Sequence, residues 1–310
     1  MELIKASSEI LQYDKNPLKY IELVARNCYK SEEKITEDSA PKFVKMLFDR
    51  GHHVMLEFYP FYFRINTEYS HTLLSINNLP DVDGDLMLYN DPHDPFTQGS
   101  CNLRTAIMIS KYDGNLSGAI YRSHPELLFF FTRVATAFDH IQCVSVSENT
   151  ITPFLRYRTG RFICDRGVTH ELVRHRKCSF AQESTRYCNY GKTNMQFIIP
   201  SWFTDEDIQR CSKFTTDFWS NAQEWHSICE NVEESYKLMI KKGWSPQQAR
   251  SVLPNSLKTE IIIQAKLSEW KHIFVQRCSK AAHPDMQYLM IPFREKLLGS
   301  NVDVNLYLIE

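Results

Sequence analysis

The residues best suited to chemistry lie together, in Arg174-His175-Arg176-Lys177 and, after six further residues, Ser184-Thr185-Arg186-Tyr187. Two arginines flank His175, seven residues separate Arg176 from Ser184, and Arg186 follows. Guanidinium is a flat fork of donors that matches phosphate or carboxylate and does not lose its charge. Several such forks in one short segment repel one another unless an anion neutralises them. The stretch therefore reads as a site for a phosphorylated small molecule. Its surroundings agree. Arg156, Arg158, Arg161, Arg166, Arg174, Arg176, Lys177 and Arg186 are opposed only by Asp165, Glu171 and Glu183, eight against three, whereas the whole chain has a formal charge of −1. A field focused in this way suits a cleft for an anion. A solvated face laced with ion pairs has the same composition, and the ordered spacing is what favours the cleft.

That spacing, Arg-His-Arg, seven residues, then Ser, resembles the signature of the flavin-dependent thymidylate synthases, and the lead-in Cys164–Val173 is similar to that of longer members. A second block resembles the family at Ala249-Arg250-Ser251-Val252-Leu253-Pro254, Trp270-Lys271-His272, Arg277 and Ala282-His283-Pro284. A third is Gly51-His52 with Glu57, preceded by Ala25-Arg26-Asn27-Cys28-Tyr29. Three blocks in order are far more specific than one. The resemblance spans residues 1–66 and 156–299 and makes the stretch 67–155 an insertion, because compact family members lack most of it.

The resemblance implies an α+β fold, a central sheet wrapped by helices in a single domain over 1–310, and reductive methylation of dUMP to dTMP. Methylenetetrahydrofolate would supply the carbon and NADPH-reduced FAD the hydride. Arg277 would be catalytic, stabilising negative charge on the uracil ring. The dUMP set would be Glu171, Arg174, Gln182, Glu183, Ser184, Thr185, Arg186, Arg250 and Arg277; the FAD set would be His52, Arg174, His175, Arg176, Lys266, Ser268, His272 and His283. Homotetramers with shared sites are implied too. The chain departs from the family at Ala181, where Asn is frequent, at Gln182 for Glu, at Cys28 for a small hydroxyl residue, and at Phe58 for His. Gln182 still offers uracil a hydrogen bond; Ala181 and Phe58 bear on individual flavin contacts. Two other readings stand beside this one. The basic patch with Phe162, Phe180, Tyr187 and Tyr190 could bind nucleic acid by stacking, or the fold could act on another pyrimidine nucleotide.

Elements must deliver these residues. Apolar spacing predicts helices at Pro17–Tyr29 and Pro41–Asp49, the latter stopped by Gly51. Aromatic-rich Glu57–Asn66 reads as a strand, as do Asn102–Ser110, Arg156–Cys164 and Lys258–Ala265. Ser123-x-x-Glu126 reads as a capping box before a helical face of Leu127, Phe130, Phe131, Val134, Phe138 and Ile141. Thr204-x-x-Asp207 is expected to cap a long helix with the stripe Phe218, Ala222, Trp225, Cys229, Val232, Tyr236 and Met239, ended by Gly243. Such a stripe is core or subunit interface rather than a cofactor site. Ser245-Pro246 starts a short helix that Pro254 ends, Ser268–Lys280 reads as another helix, and Pro284 opens the last.

Other chemistry is disfavoured. His170 and His175 are five apart, whereas a zinc-binding His-Glu-x-x-His needs four to put both on one helical face, so no metal is expected. Asp81, Asp83 and Asp85 imitate a calcium loop, but Gly84 falls two residues before the required sixth position and Pro92 occupies the twelfth, so a solvated acidic turn is expected. Neither a phosphate-cradling glycine loop nor the Pro-Cys-His setting of the folate-dependent thymidylate synthases occurs. Nine cysteines, an odd number without Cys-x-x-Cys, suit reduced thiols in the cytoplasm. No apolar run has the length of a membrane span, the start lacks a signal-peptide core, and a near-neutral balance argues against wholesale nucleic-acid coating.

Overall fold

The computed structural model describes residues 1–92, 94–135, 143–211 and 220–300. Ten strands run in chain order: β1 Glu2–Ile4, β2 Ser7–Leu11, β3 Pro60–Asn66, β4 Met87–Asn90, β5 Phe96–Asn102, β6 Cys143–Ser145, β7 Tyr157–Asp165, β8 Ser179–Gln182, β9 Gln196–Ile198 and β10 Lys258–Lys266. They form an antiparallel sheet in the order β2-β7-β10-β8, a second antiparallel sheet β4-β5-β3-β6, and the parallel pair β1-β9. The fold is mixed α and β.

The first sheet is built around β10, whose run Ile261-Ile262-Ile263 is buried on both faces. Because side chains alternate across a strand, Ile261, Ile263 and Ala265 pack with Trp270, Phe274, Met290 and Phe293 of the helices Leu267–Arg277 and Pro284–Gly299. Ile262 turns the other way, into a core shared with the helix Pro17–Asn27. Helices thus pack on both faces of the sheet. On β7, a side chain at Gly160 would meet the Phe293 ring at 2.6 Å, so glycine allows the C-terminal helix its close approach.

The second sheet lies mostly within residues 67–155, yet its strand β3 comes from before residue 67 and lies between β5 and β6. This stretch is thereby tied into the large core, where Phe61, Phe63, Leu103, Ile109 and Leu116 are buried together. A polar tie is added at Glu57, whose carboxylate pairs with Arg104 and accepts from Ser179 Oγ at 2.7 Å.

Several expectations need correction. Glu57 lies in a 3-10 turn, His53–Phe58, and the strand begins at Pro60. Residues 103–109 form a helix rather than a strand: Asn102 Oδ1 caps it by accepting from Thr105 N at 2.9 Å, and Leu103, Ala106 and Ile109 are buried at three-residue spacing. Ser123 ends the helix Asn115–Ser123 and donates to the Ile120 carbonyl, so it opens no helix; Pro125–Phe130 is a 3-10 turn. Phe138, Ile141 and Phe218 lie outside the described residues. Thr204 and Asp207 do cap reciprocally, but on the separate short helix Asp205–Cys211. The stripe helix, Asn221–Lys241, has its own box at Ser220 and Gln223. Its Cys229 and Tyr236 pack with Met195, Phe197, Ala249 and Leu257 in a satellite core, and Gly243, at φ 94°, turns the chain away. Among the described residues no helix is long and apolar enough to cross a membrane.

Candidate functional site

Strand β7 leads into the helix Arg166–Leu172, which Asp165 caps by accepting from Val168 N at 2.8 Å. The chain then turns through Arg174–Cys178 into β8. Across the sheet, β10 ends at Lys266 and the helix Leu267–Arg277 begins. These two turns face one cavity of about 640 Å³, which collects Arg174, His175, Arg176, Lys266, Ser268, His272 and Arg277. Six of the eight residues expected to hold FAD are therefore together, with the expected catalytic arginine beside them. The cavity has the size of a small-molecule site, about 300–1,000 Å³.

Arg277 is held firmly. Its Nε donates to His175 Nε2 at 3.0 Å, one terminal nitrogen to Glu171 Oε2 at 2.7 Å, and the other to the Glu171 carbonyl at 3.0 Å. Three of five N–H groups are engaged, and two remain for a ligand. Since Nε2 of His175 accepts, the ring proton belongs on Nδ1, an assignment made from the hydrogen-bond pattern; Glu269 lies 3.7 Å from that nitrogen. Burial lowers the His175 pKa to about 4, with the Arg277 and His272 charges acting in the same direction, so the ring is neutral at pH 7.

His175, Glu269 and His272 bring their ligand-type atoms within 4.8 Å of one another. Arg277 occupies His175 Nε2, and Arg174, Arg176, Lys177 and Lys266 line the same cavity. This field repels a cation, so the cluster fits a cavity that receives an anion better than a metal centre.

The other expected residues are distributed differently. Glu171 and His283 line a second cavity of about 570 Å³ with Trp202 and Trp225. Since Arg277 lines the first cavity and its partner Glu171 the second, their ion pair stands between the two. Glu183 lines a third cavity of about 550 Å³ but is committed to Lys258 at 3.0 Å and Tyr190 at 2.7 Å. Thr185 and Arg250 share a fourth, of about 450 Å³, with Arg166. A terminal nitrogen of Arg166 is buried without a partner among the described residues. Gln182 donates to Thr169 Oγ1 and Thr259 Oγ1 at 3.0 and 3.2 Å, outside these four cavities. Ser184 Oγ accepts from Arg186 N in a local turn, and Arg186 lies 5.5 Å from the Tyr187 ring centre. His52 is exposed, 3.3 Å from the Tyr29 hydroxyl. In a single chain, then, His52, His283 and most of the expected dUMP residues do not join the first cavity.

The departures from the family pattern are legible here. Phe58 and Ala181 are fully buried in the main core. Burial, and then the neighbouring Cys188, pushes the Cys28 thiol up to about 12, which leaves it unreactive. The basic patch is also not a free stripe. Arg156 donates to the Ile151 carbonyl, Arg158 pairs with Glu148, and Arg161 pairs with Glu260. Three of its eight cations thus serve the interior, which weakens the nucleic-acid reading.

Sequence reasoning missed Asp85, Met87, Glu269 and Gln276 among the residues lining the first cavity. Glu269 sits three residues before His272 on one helix, so i, i+3 spacing was an available signal. Asp85 comes from the insertion and pairs with Lys266, so the acidic turn is not simply solvated.

Residues 157–298 match the family model described as thymidylate synthase complementing protein. A flavin-dependent thymidylate synthase of Corynebacterium efficiens is 32% identical over 136 residues, 43% of this chain and 53% of that protein. One from Pyrococcus furiosus is 34% identical over 121 residues, 38% and 45% of the two chains. A crystal structure of thymidylate synthase X from Helicobacter pylori with FAD and dUMP is 20% identical, covering 50% of this chain and 71% of that one with a TM-score of 0.36. The first cavity gathers an arginine-rich set of side chains on a mixed α and β fold. Over the matched segment, the chain is similar to the flavin-dependent thymidylate synthases. It spans about half the length of the curated relatives it matches.

Proposed function

We propose that this protein is an FAD-dependent thymidylate synthase, converting dUMP to dTMP with methylenetetrahydrofolate and NADPH. The observation that carries this reading is the convergence of Arg174, His175, Arg176, Lys266, Ser268, His272 and Arg277 on one cavity.

Carbon 5 of uracil is a poor nucleophile until the ring gains enolate character. The held guanidinium of Arg277, with two N–H groups uncommitted, suits the developing charge on the imide. Neutral His175 fixes that guanidinium without adding a competing positive charge. Arg174, Arg176 and Lys177 form no ion pair among the described residues and offer their charge to phosphates of FAD. Arg250, Thr185 and the orphaned donor of Arg166 suit the dUMP phosphate, with Ser184 and Arg186 nearby in sequence. FAD, when bound and reduced, supplies the hydride, while the protein binds and orients.

The nucleotide residues line different cavities from Arg277 within one chain. A homotetramer in which neighbouring chains complete each site accounts for that separation, and for His52 and His283 standing apart. Nine free cysteines suit the cytoplasm. The single-domain organisation, with 1–66 and 156–299 as family-like core and 67–155 inserted, is supported by β3 pairing with insertion strands.

The test is the visible absorption spectrum of protein reconstituted with FAD. A bound-flavin spectrum that shifts on adding dUMP is expected. Failure to retain flavin overturns the proposal.

A further inference from the structure

The 67–155 stretch reaches the cavity wall at Asp85 and Met87, and Asp85 is its charged residue there. Its carboxylate forms an ion pair with Lys266 Nζ and accepts from the Tyr157 hydroxyl at 2.6 Å. Its carbonyl accepts from Lys266 Nζ at 3.2 Å, and its N–H donates to Thr105 Oγ1 at 2.8 Å. Every polar group of Asp85 is thus engaged, from β7, from β10 and from the insertion's own helix. Next to it, a side chain at Gly84 would meet Thr105 at 2.7 Å and Asn77 at 2.8 Å, so the turn is packed in place.

Lys266 is 5% exposed and its Nζ lies 4.9 Å from the Tyr157 ring centre. An ammonium has three N–H donors. Two go to Asp85, and the third is left at the cavity. We propose that Asp85 is a positioning residue that keeps Lys266 charged and fixed, so that Lys266 presents one donor to an uncharged acceptor of the bound flavin. This rests on the flavin reading above.

Charge matching decides the acceptor class. Lys266 already has a carboxylate against it, so a phosphate at this end would meet Asp85 at close range. Arg174 and Arg176 offer their charge without such a partner, and phosphates belong with them. An acceptor on the flavin ring carries no such penalty.

Burial lowers the Lys266 pKa, and Lys177 adds to this; Asp85 and Cys101 oppose it, while Tyr157 faces the ammonium from β7. Removing the Asp85 charge leaves the lowering causes less opposed, so the ammonium would lose its proton at lower pH.

Two measurements test this. In ligand-free protein carrying 13C at the lysine Cε, the Lys266 signal, identified by its loss in Lys266→Met, should titrate about one unit or more lower in Asp85→Asn than in the parent. Equal titration overturns the positioning role. FAD and riboflavin binding are then followed by flavin fluorescence near pH 9, where Asp85→Asn and Lys266→Met should each weaken both ligands by about tenfold. Adding Asp85→Asn to Lys266→Met should weaken them little further. Weakened FAD with unchanged riboflavin would mean that Lys266 serves a phosphate, which overturns the acceptor class. If the parent protein binds neither flavin, the flavin reading and the acceptor class both fall, and the ligand-free titration alone decides whether Asp85 holds Lys266.

Discussion

Arg277 donates its Nε–H to Nε2 of His175 at 3.0 Å, joining the end of the Leu267–Arg277 helix to the turn after the Arg166–Leu172 helix. The bond sets both partners. It fixes the imidazole tautomer, and with Glu171 it holds the guanidinium plane still.

Arg277→Lys should therefore not be conservative. A point charge on a flexible stem cannot bond His175 and Glu171 together and still present a planar fork. Turnover should fall by at least about a hundredfold, comparable to the loss of one oxyanion donor. Steady-state dTMP formation checks this, and near-normal activity in Arg277→Ala refutes the catalytic assignment.

The same contact governs a pH response. The folded His175 pKa is lowered to about 4, below the unfolded value near 6.5. Between these values the unfolded chain binds a proton that the folded chain does not. Stability should thus fall as pH drops from about 6.5 towards about 4. Arg277→Ala removes one cause of the shift, so His175 should titrate at higher pH. Proton NMR of the imidazole reads the midpoint; an unmoved one would mean that the Arg277 charge contributes nothing.

Phosphate and flavin binding should separate by residue. Arg186→Ala and Arg250→Ala should weaken dUMP by about tenfold or more, as loss of a charge-assisted contact does, while keeping FAD. His175→Ala, in the first cavity, should lose flavin first. Equilibrium titrations with each ligand decide, and Arg186→Ala with full dUMP affinity but lost flavin reverses the assignment.

How much of this was legible in the sequence varied with the physics. The β7 and β10 strands and the helices that cover them follow from local apolar patterns, and the arginine spacing carried the family resemblance. Residues 103–109 misled because the Asn102 cap and the three-residue spacing were masked by β-favouring residues. Asp85 was unreadable, because nothing local signals that an acidic turn reaches Lys266 across 181 residues. The family resemblance grouped His52 and His283 with the flavin residues and Arg250 with Arg277 in the dUMP set, yet one chain brings none of the three to the first cavity.

That separation makes a demanding test possible. If Arg186 and Arg277 of one working site come from different chains, two inactive variants, Arg186→Ala and Arg277→Ala, should partly rescue each other when co-expressed. Some mixed tetramers would hold a site built from two intact halves. Mixed oligomers with no activity above either parent would place both residues of each site in the same chain.

The most direct measurement is product formation. Protein reconstituted with FAD is mixed with dUMP, methylenetetrahydrofolate and NADPH, and dTMP is quantified by chromatography. The expected result is dTMP that depends on all four additions and disappears in Arg277→Ala. Flavin-loaded protein that forms no dTMP and oxidises no NADPH would contradict the central claim.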